Sequence, residues 1–266
     1  MNTTATPPAS EPPPAGPPAP PLGGLFHLFA FLSAALLLMI ALPNLAVTVA
    51  LPVLLQKNPG LTSGQALDQL RFNAFFVVPV QVVTSALLVL LVYVFVRRRA
   101  LPFWKSLALR PLNPLYLLPL LLGGAFLALV VQFASALVPP PEKLPFDKLF
   151  SSQAAAWLII GLAVLLAPLV EELVFRGYIY TLLETRYGVA PAVLISGLLF
   201  GAWHFPQYYP GYFQMFLICV VGLAFSLVRA GSRTLLASIL AHFAYNATVS
   251  LHFLVSEQFR TLPALF

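Results

Sequence analysis

The sequence predicts an all-α fold: a polytopic transmembrane helical bundle of about seven spans, within a range of six to eight. Three observations predict it. Of 266 residues, 60% are hydrophobic and only 8% charged, which excludes a water-soluble globule. Mean hydropathy is +0.91. The apolar residues run in stretches of about 20, the length at which a helix crosses the hydrocarbon core with its backbone groups satisfied internally.

The elements follow in order. Residues 1–24, "MNTTATPPASEPPPAGPPAPPLGG", hold nine of the 26 prolines and no lysine or arginine. Such a stretch has too little apolar surface to fold, so a Pro-rich, disordered cytoplasmic tail is expected. It also lacks the basic start of a signal peptide. Spans are expected at 25–54, long and broken near Pro43, and then at 74–96 and 114–138. These make up an N-terminal group of transmembrane helices over 25–138, followed by an external loop at 139–153. Further spans are expected at 154 to about 183, 190–208, 211–228 and 234–255, forming a second membrane domain over 154–255. Residues 256–266 form a short C-terminal tail. No internal repeat is visible, which weighs against a transporter built from inverted halves.

Charge sets the orientation. The net charge of +6 comes from 14 Lys/Arg against eight Asp/Glu. On a membrane protein such an excess faces anionic lipid, so nucleic acid is not the partner inferred. Arg97, Arg98, Arg99, Lys105 and Arg110 follow the second span, which puts that loop in the cytoplasm. Alternation then places Arg176, Arg186, Arg229 and Arg233 on the same side, nine of the 14 basic residues. Lys57, Arg71, Lys143, Lys148 and Arg260 fall on the other. The N-terminus is therefore expected in the cytoplasm and the C-terminus outside. The loop "RRRALPFWKSLALRP" is expected to anchor on anionic lipid. Cys219, the one cysteine, has no disulfide partner and is expected to be packed.

Few strongly polar side chains lie within the spans: Glu171, Glu172, His204, His242, Asn246 and His252, with Arg176 close behind. Each charged one costs roughly 2.5–3.5 kcal/mol to insert, so such residues face the bundle interior and serve a purpose. Spacing says which can meet. Glu172 and Arg176 are four apart and can pair, while Glu171 points about 100° away and stays available. His242 and Asn246 also share a helix face. Gly197, Gly201 and His204 recur at helical spacing, allowing close helix approach beside the histidine.

Counting about 1.5 Å per residue from the cytoplasmic turns places Glu171 about 24 Å deep, His204 about 22 Å and Asn246 about 20 Å. Three helices thus bring polar side chains to one layer. Pro168, three residues before Glu171, leaves a carbonyl free one turn back; either the helix kinks there or neighbours satisfy the carbonyl. His27 and His252 are expected at the interfaces. Trp203, Tyr208, Tyr209 and Tyr212 are expected in an outer aromatic belt, with substrate entry as the alternative.

The motifs "EELVFR" (Glu171, Glu172, Arg176), "FGAWH" (Phe200, His204) and "HFAYN" (His242, Asn246) resemble, in order, the EExxxR, FxxxH and HxxxN motifs of the CPBP intramembrane proteases. That family includes the CAAX prenyl endopeptidases of the Ras-converting type and the bacterial Abi, or bacteriocin self-immunity, proteins. The resemblance spans roughly residues 154–250. It implies a CAAX-protease-like intramembrane core and peptide-bond hydrolysis, with Glu171 and His204 activating water. It further implies His242 and Asn246 as oxyanion stabilisers, with Glu172, Arg176 and Phe200 in support.

Members of the family have been described both as metalloproteases and as metal-free enzymes. His204 and His242 could bind zinc with a carboxylate as third ligand, although the chain has no HExxH. The expected partners are membrane lipids and a protein or peptide substrate, in a bacterial plasma membrane. Two other classes stay open: a proton-coupled transporter, since such groups also make relays, and a silent scaffold or immunity protein.

Overall fold

The computed structural model describes residues 22–264. The expected tail lies outside the described residues except for Leu22, Gly23 and Gly24; Leu22 is buried in the core. The described residues are helical with no strand, and the chain is an integral membrane protein. Six helices are long and apolar enough to cross a bilayer. They are α1 (Leu25–Lys57), α3 (Ala74–Arg97), α5 (here Pro114–Leu137), α6 (Gln153–Tyr187), α9 (Tyr212–Ser232) and α10 (Leu235–Val255). Between them lie α2 (Ser63–Arg71), α4 (Phe103–Ser106), the short apolar α7 (Val189–Trp203) and α8 (Phe205–Tyr208), with α11 (Glu257–Arg260) at the end.

The first span corrects one expectation, because α1 is continuous through Pro43 and Pro52. The Asn44 amide donates to the Ile40 carbonyl at 2.7 Å and the Thr48 hydroxyl to the Asn44 carbonyl at 2.8 Å. Both bonds return to carbonyls one turn back on the same helix and run beside its main-chain ladder. Leu36, Leu37, Ile40, Leu45 and Val49 on α1 and Leu118, Leu122, Phe126 and Phe133 on α5 are exposed. Such an apolar surface belongs against lipid.

α6 is the central element, buried on every face from Glu172 to Leu183. Its ladder is interrupted by wide turns at Leu162–Leu166 and Leu173–Ile179, where the register shifts from four residues to five. Such π turns turn successive side chains to new faces within one helix. At its end Gly188 takes φ +86°, the left-handed backbone that glycine adopts freely, and the chain reverses into α7. This helix is shorter than the span expected over 190–208. It stops at Trp203 because Pro206 has no N–H to give the Ala202 carbonyl.

Close packing fixes α7 against α9. A side chain on Gly201 would overlap Cys219, one on Gly197 would overlap Leu223, and one on Gly222 would strike the Gly197 carbonyl. Cys219 is accordingly half-buried in that seam. On the basic face, the expected lipid-anchor loop is also tied into the fold. The Leu235 N–H donates to the Ala108 carbonyl at 3.0 Å, and the Thr234 hydroxyl donates to the Arg110 carbonyl at 2.8 Å.

Candidate active site

Glu172 and Arg176 sit one turn apart on α6 with side chains wholly buried, joined by Nη1 to Oε1 at 2.9 Å. The guanidinium also donates to the Gly222 carbonyl at 2.6 Å and to the Ser226 hydroxyl at 3.3 Å. It lies over the Phe200 ring, 4.6 Å from the centroid. A charge this deep persists only when its donors are met and its partner is near.

Glu171 turns the other way and keeps 20% of its side chain exposed. It faces a cavity of about 710 Å³ that His204, His242 and Asn246 also line. The layer expected from counting therefore exists: α6, α7 and α10 deliver these four side chains to one cavity. His204 is at the end of α7, and the Nε2 atoms of both histidines lie 3.8 Å from Glu171 Oε2. That is too long for a direct hydrogen bond and suits a water between them.

The far side of each ring decides its tautomer. His204 Nδ1 is 2.8 Å from the Phe200 carbonyl, which only accepts, so Nδ1 carries the hydrogen. His242 Nδ1 is 3.0 Å from Glu172 Oε1 and donates likewise to an ionised carboxylate. Both Nε2 atoms therefore turn lone pairs toward Glu171 when the rings are neutral. Phe225 stacks on His242 with centroids 4.6 Å apart, and Phe200 packs on both imidazoles.

Asn246 lines the cavity, but its Nδ2 donates to the Ala163 carbonyl at 2.7 Å. Trp203 and Tyr208 line the cavity too, whereas Tyr209 and Tyr212 are exposed. His252 is exposed and lies away from the site. Sequence reasoning missed Gly222, Ser226 and Phe225, all on α9. Their signal was only a small, polar and aromatic face at helical spacing, without the acids and imidazoles that mark a site.

Imidazole and carboxylate are donor types that hold zinc. Among the described residues no three His, Cys, Asp or Glu side chains form a ready-made metal cluster. His204, His242 and Glu171 are the residues that would hold such an ion, each histidine Nε2 being 3.8 Å from Glu171 Oε2 across the cavity, where it would polarise a bound water.

Ionisable side chains converging from three helices on a cavity inside a membrane bundle make a candidate active site. Residues 153–248, which carry every one of them, match the family described as type II CAAX prenyl endopeptidase, Rce1-like. At the level of that family the activity is CAAX-type proteolysis in the membrane. No curated protein and no solved structure matches the chain.

Proposed function

We propose that the protein is an intramembrane endopeptidase acting on a membrane-associated protein or peptide, with Glu171 as the base that activates water. The observation that carries this reading is the pair of Nε2 atoms 3.8 Å from Glu171 Oε2. Water held there loses a proton to the carboxylate as its oxygen attacks the peptide carbonyl carbon. The same proton then passes to the leaving nitrogen as the C–N bond breaks, so the atoms balance without a co-reactant.

The two imidazoles divide the remaining work. His204, backed by a neutral carbonyl, keeps a lone pair for the attacking water. His242 is held through Nδ1 by Glu172, with Nε2 turned to Glu171 and the cavity. A proton relayed to that Nε2 during the reaction is donated to the developing oxyanion. Arg176 balances Glu172, and Phe200 holds both rings and the guanidinium. Asn246 supplies a second donor to the oxyanion, since one of its two N–H bonds remains after Ala163 is served.

The cavity lies on the side of α2 and the 139–153 loop; Arg71, Asp147 and Gln258 line it. None of the residues from 172 to 199 does. It is thus closed toward the basic face, which disfavours a transporter relay. With the N-terminus in a bacterial cytoplasm, as the charge bias supports, substrate enters from outside or from the outer leaflet.

The test is cleavage of a labelled peptide library, prenylated CAAX peptides included, by detergent-purified protein. Cleavage should vanish in Glu171→Gln and survive a chelator. Loss with chelator would make a metal part of the reaction. Equal cleavage by wild type and Glu171→Gln would refute the role of Glu171, and none by either would favour the silent scaffold.

A further inference from the structure

In the first wide turn of α6 the Ala167 N–H reaches the Leu162 carbonyl, five residues back. The next donor in that register would be residue 168, whose target is the Ala163 carbonyl. Residue 168 is a proline and has no N–H. The position so left open is filled from another helix, by Asn246 Nδ2 at 2.7 Å. Asn246 lies one turn beyond His242 on α10, and Pro168 lies three residues before Glu171 on α6. The bond therefore crosses between the two helices at the height of the site.

We propose that Pro168 is a positioning residue of the active site, whose missing N–H reserves the Ala163 carbonyl for Asn246. Two consequences follow. A carbonyl only accepts, so the bond fixes which end of the amide is nitrogen and aims the remaining N–H. It also sets the register between the helix carrying Glu171 and the helix carrying His242. A proline in a transmembrane helix is tolerated where a neighbour satisfies the freed carbonyl; here that neighbour is itself a site residue. This inference rests on the peptidase reading only for the meaning of the aimed N–H, and its test needs no substrate.

Pro168→Ala, Asn246→Ala and the double variant of the full chain are purified in detergent. The unfolding equilibrium and the rate of Glu171 labelling by a hydrophobic carbodiimide, read by mass spectrometry, are measured in each. Asn246→Ala alone orphans the carbonyl and should shift the unfolding equilibrium about tenfold. With alanine at 168 the main chain supplies the N–H, and the same substitution should shift it by less than about twofold.

Pro168→Ala alone should leave the fold intact yet change the Glu171 labelling rate, because the new N–H competes with Asn246. A merely structural proline would not move that rate. Equal effects of Asn246→Ala in both backgrounds, or unchanged labelling in Pro168→Ala, would overturn the proposal. Should Asn246→Ala fail to accumulate except with Pro168→Ala, that rescue supports it. Should it fail in both, Asn246→Ser is compared in the same two backgrounds and judged by the same ratio. Loss of all peptidase activity with this coupling intact would count against the function proposed above and not against the role of Pro168.

Discussion

Arg176→Met tests the electrostatics of the core. In the native site Glu172 and Arg176 have no exposed side-chain surface, and the guanidinium holds Oε1 at 2.9 Å, the Gly222 carbonyl at 2.6 Å and the Ser226 hydroxyl at 3.3 Å. Methionine fills similar volume, so the loss is electrostatic rather than a cavity. Glu172 would then be a buried anion left with His242 and the Ser238 hydroxyl but no cation, and breaking such a pair from one side costs about 3–5 kcal/mol. Ser226→Ala removes a hydroxyl that touches Arg176, Ser196 and the Gly222 carbonyl but leaves the ion pair whole, and such contacts are worth about 0.6 kcal/mol each on average inside a bilayer. Unfolding by graded denaturing detergent in mixed micelles, followed by tryptophan fluorescence, should separate the two. Adding Glu172→Gln to Arg176→Met should recover much of the loss, because no unpaired charge then remains. An Arg176→Met loss no larger than that of Ser226→Ala, or no recovery in the double variant, would refute the reasoning.

Three other outcomes follow from the packing, the loops and the charge distribution. Gly201→Val should prevent native packing, because even its Cβ overlaps Cys219; Cys219 should then react with maleimide much faster than in the wild type. Burial pushes the Asp147 carboxyl above its usual range despite the Leu144 N–H and Lys143, so the fold prefers the protonated form. Any stability from that preference is present at low pH and lost as pH rises through the raised value, and Asp147→Asn should flatten the decline in a pH series of unfolding midpoints. Finally, cysteine placed at Arg98 in a Cys219→Ala background should be labelled by an impermeant maleimide only from the cytoplasmic side, and cysteine at Glu142 only from outside; the reverse pattern would overturn the orientation.

Much of the site was legible because helical spacing is a strong constraint. Four-residue separation announced the Glu172–Arg176 pair, and adjacency alone turned Glu171 about 100° away from Glu172, to stay available. Counting rise from the turns placed three helices' polar groups in one layer. Glycines at 197 and 201 announced the close approach to α9. What stayed hidden depends on partners across space. The wide turns of α6 leave no composition signature, so the hand-off from Pro168 through Ala163 to Asn246 was invisible beyond the remark that a carbonyl would be freed. Tautomers were unreadable because they follow from the Phe200 carbonyl and Glu172 behind each ring. Pro43 misled because a helix within a membrane span runs through a proline without breaking, a tolerance that breaker rules drawn from soluble helices do not count.

α7 has only 15 residues, against about 20 needed to span the hydrocarbon. Its apolar length therefore falls about 7 Å short, and His204 sits at the shortened end. Lipid beside it must thin, or headgroups and solvent must descend to meet the polar residues there. The bilayer then becomes an adjustable wall of the reaction vessel. On the peptidase reading proposed above, thin membranes seat water at Glu171 with little deformation and thick ones close the notch, so cleavage should fall as lipid chain length rises in a reconstituted series.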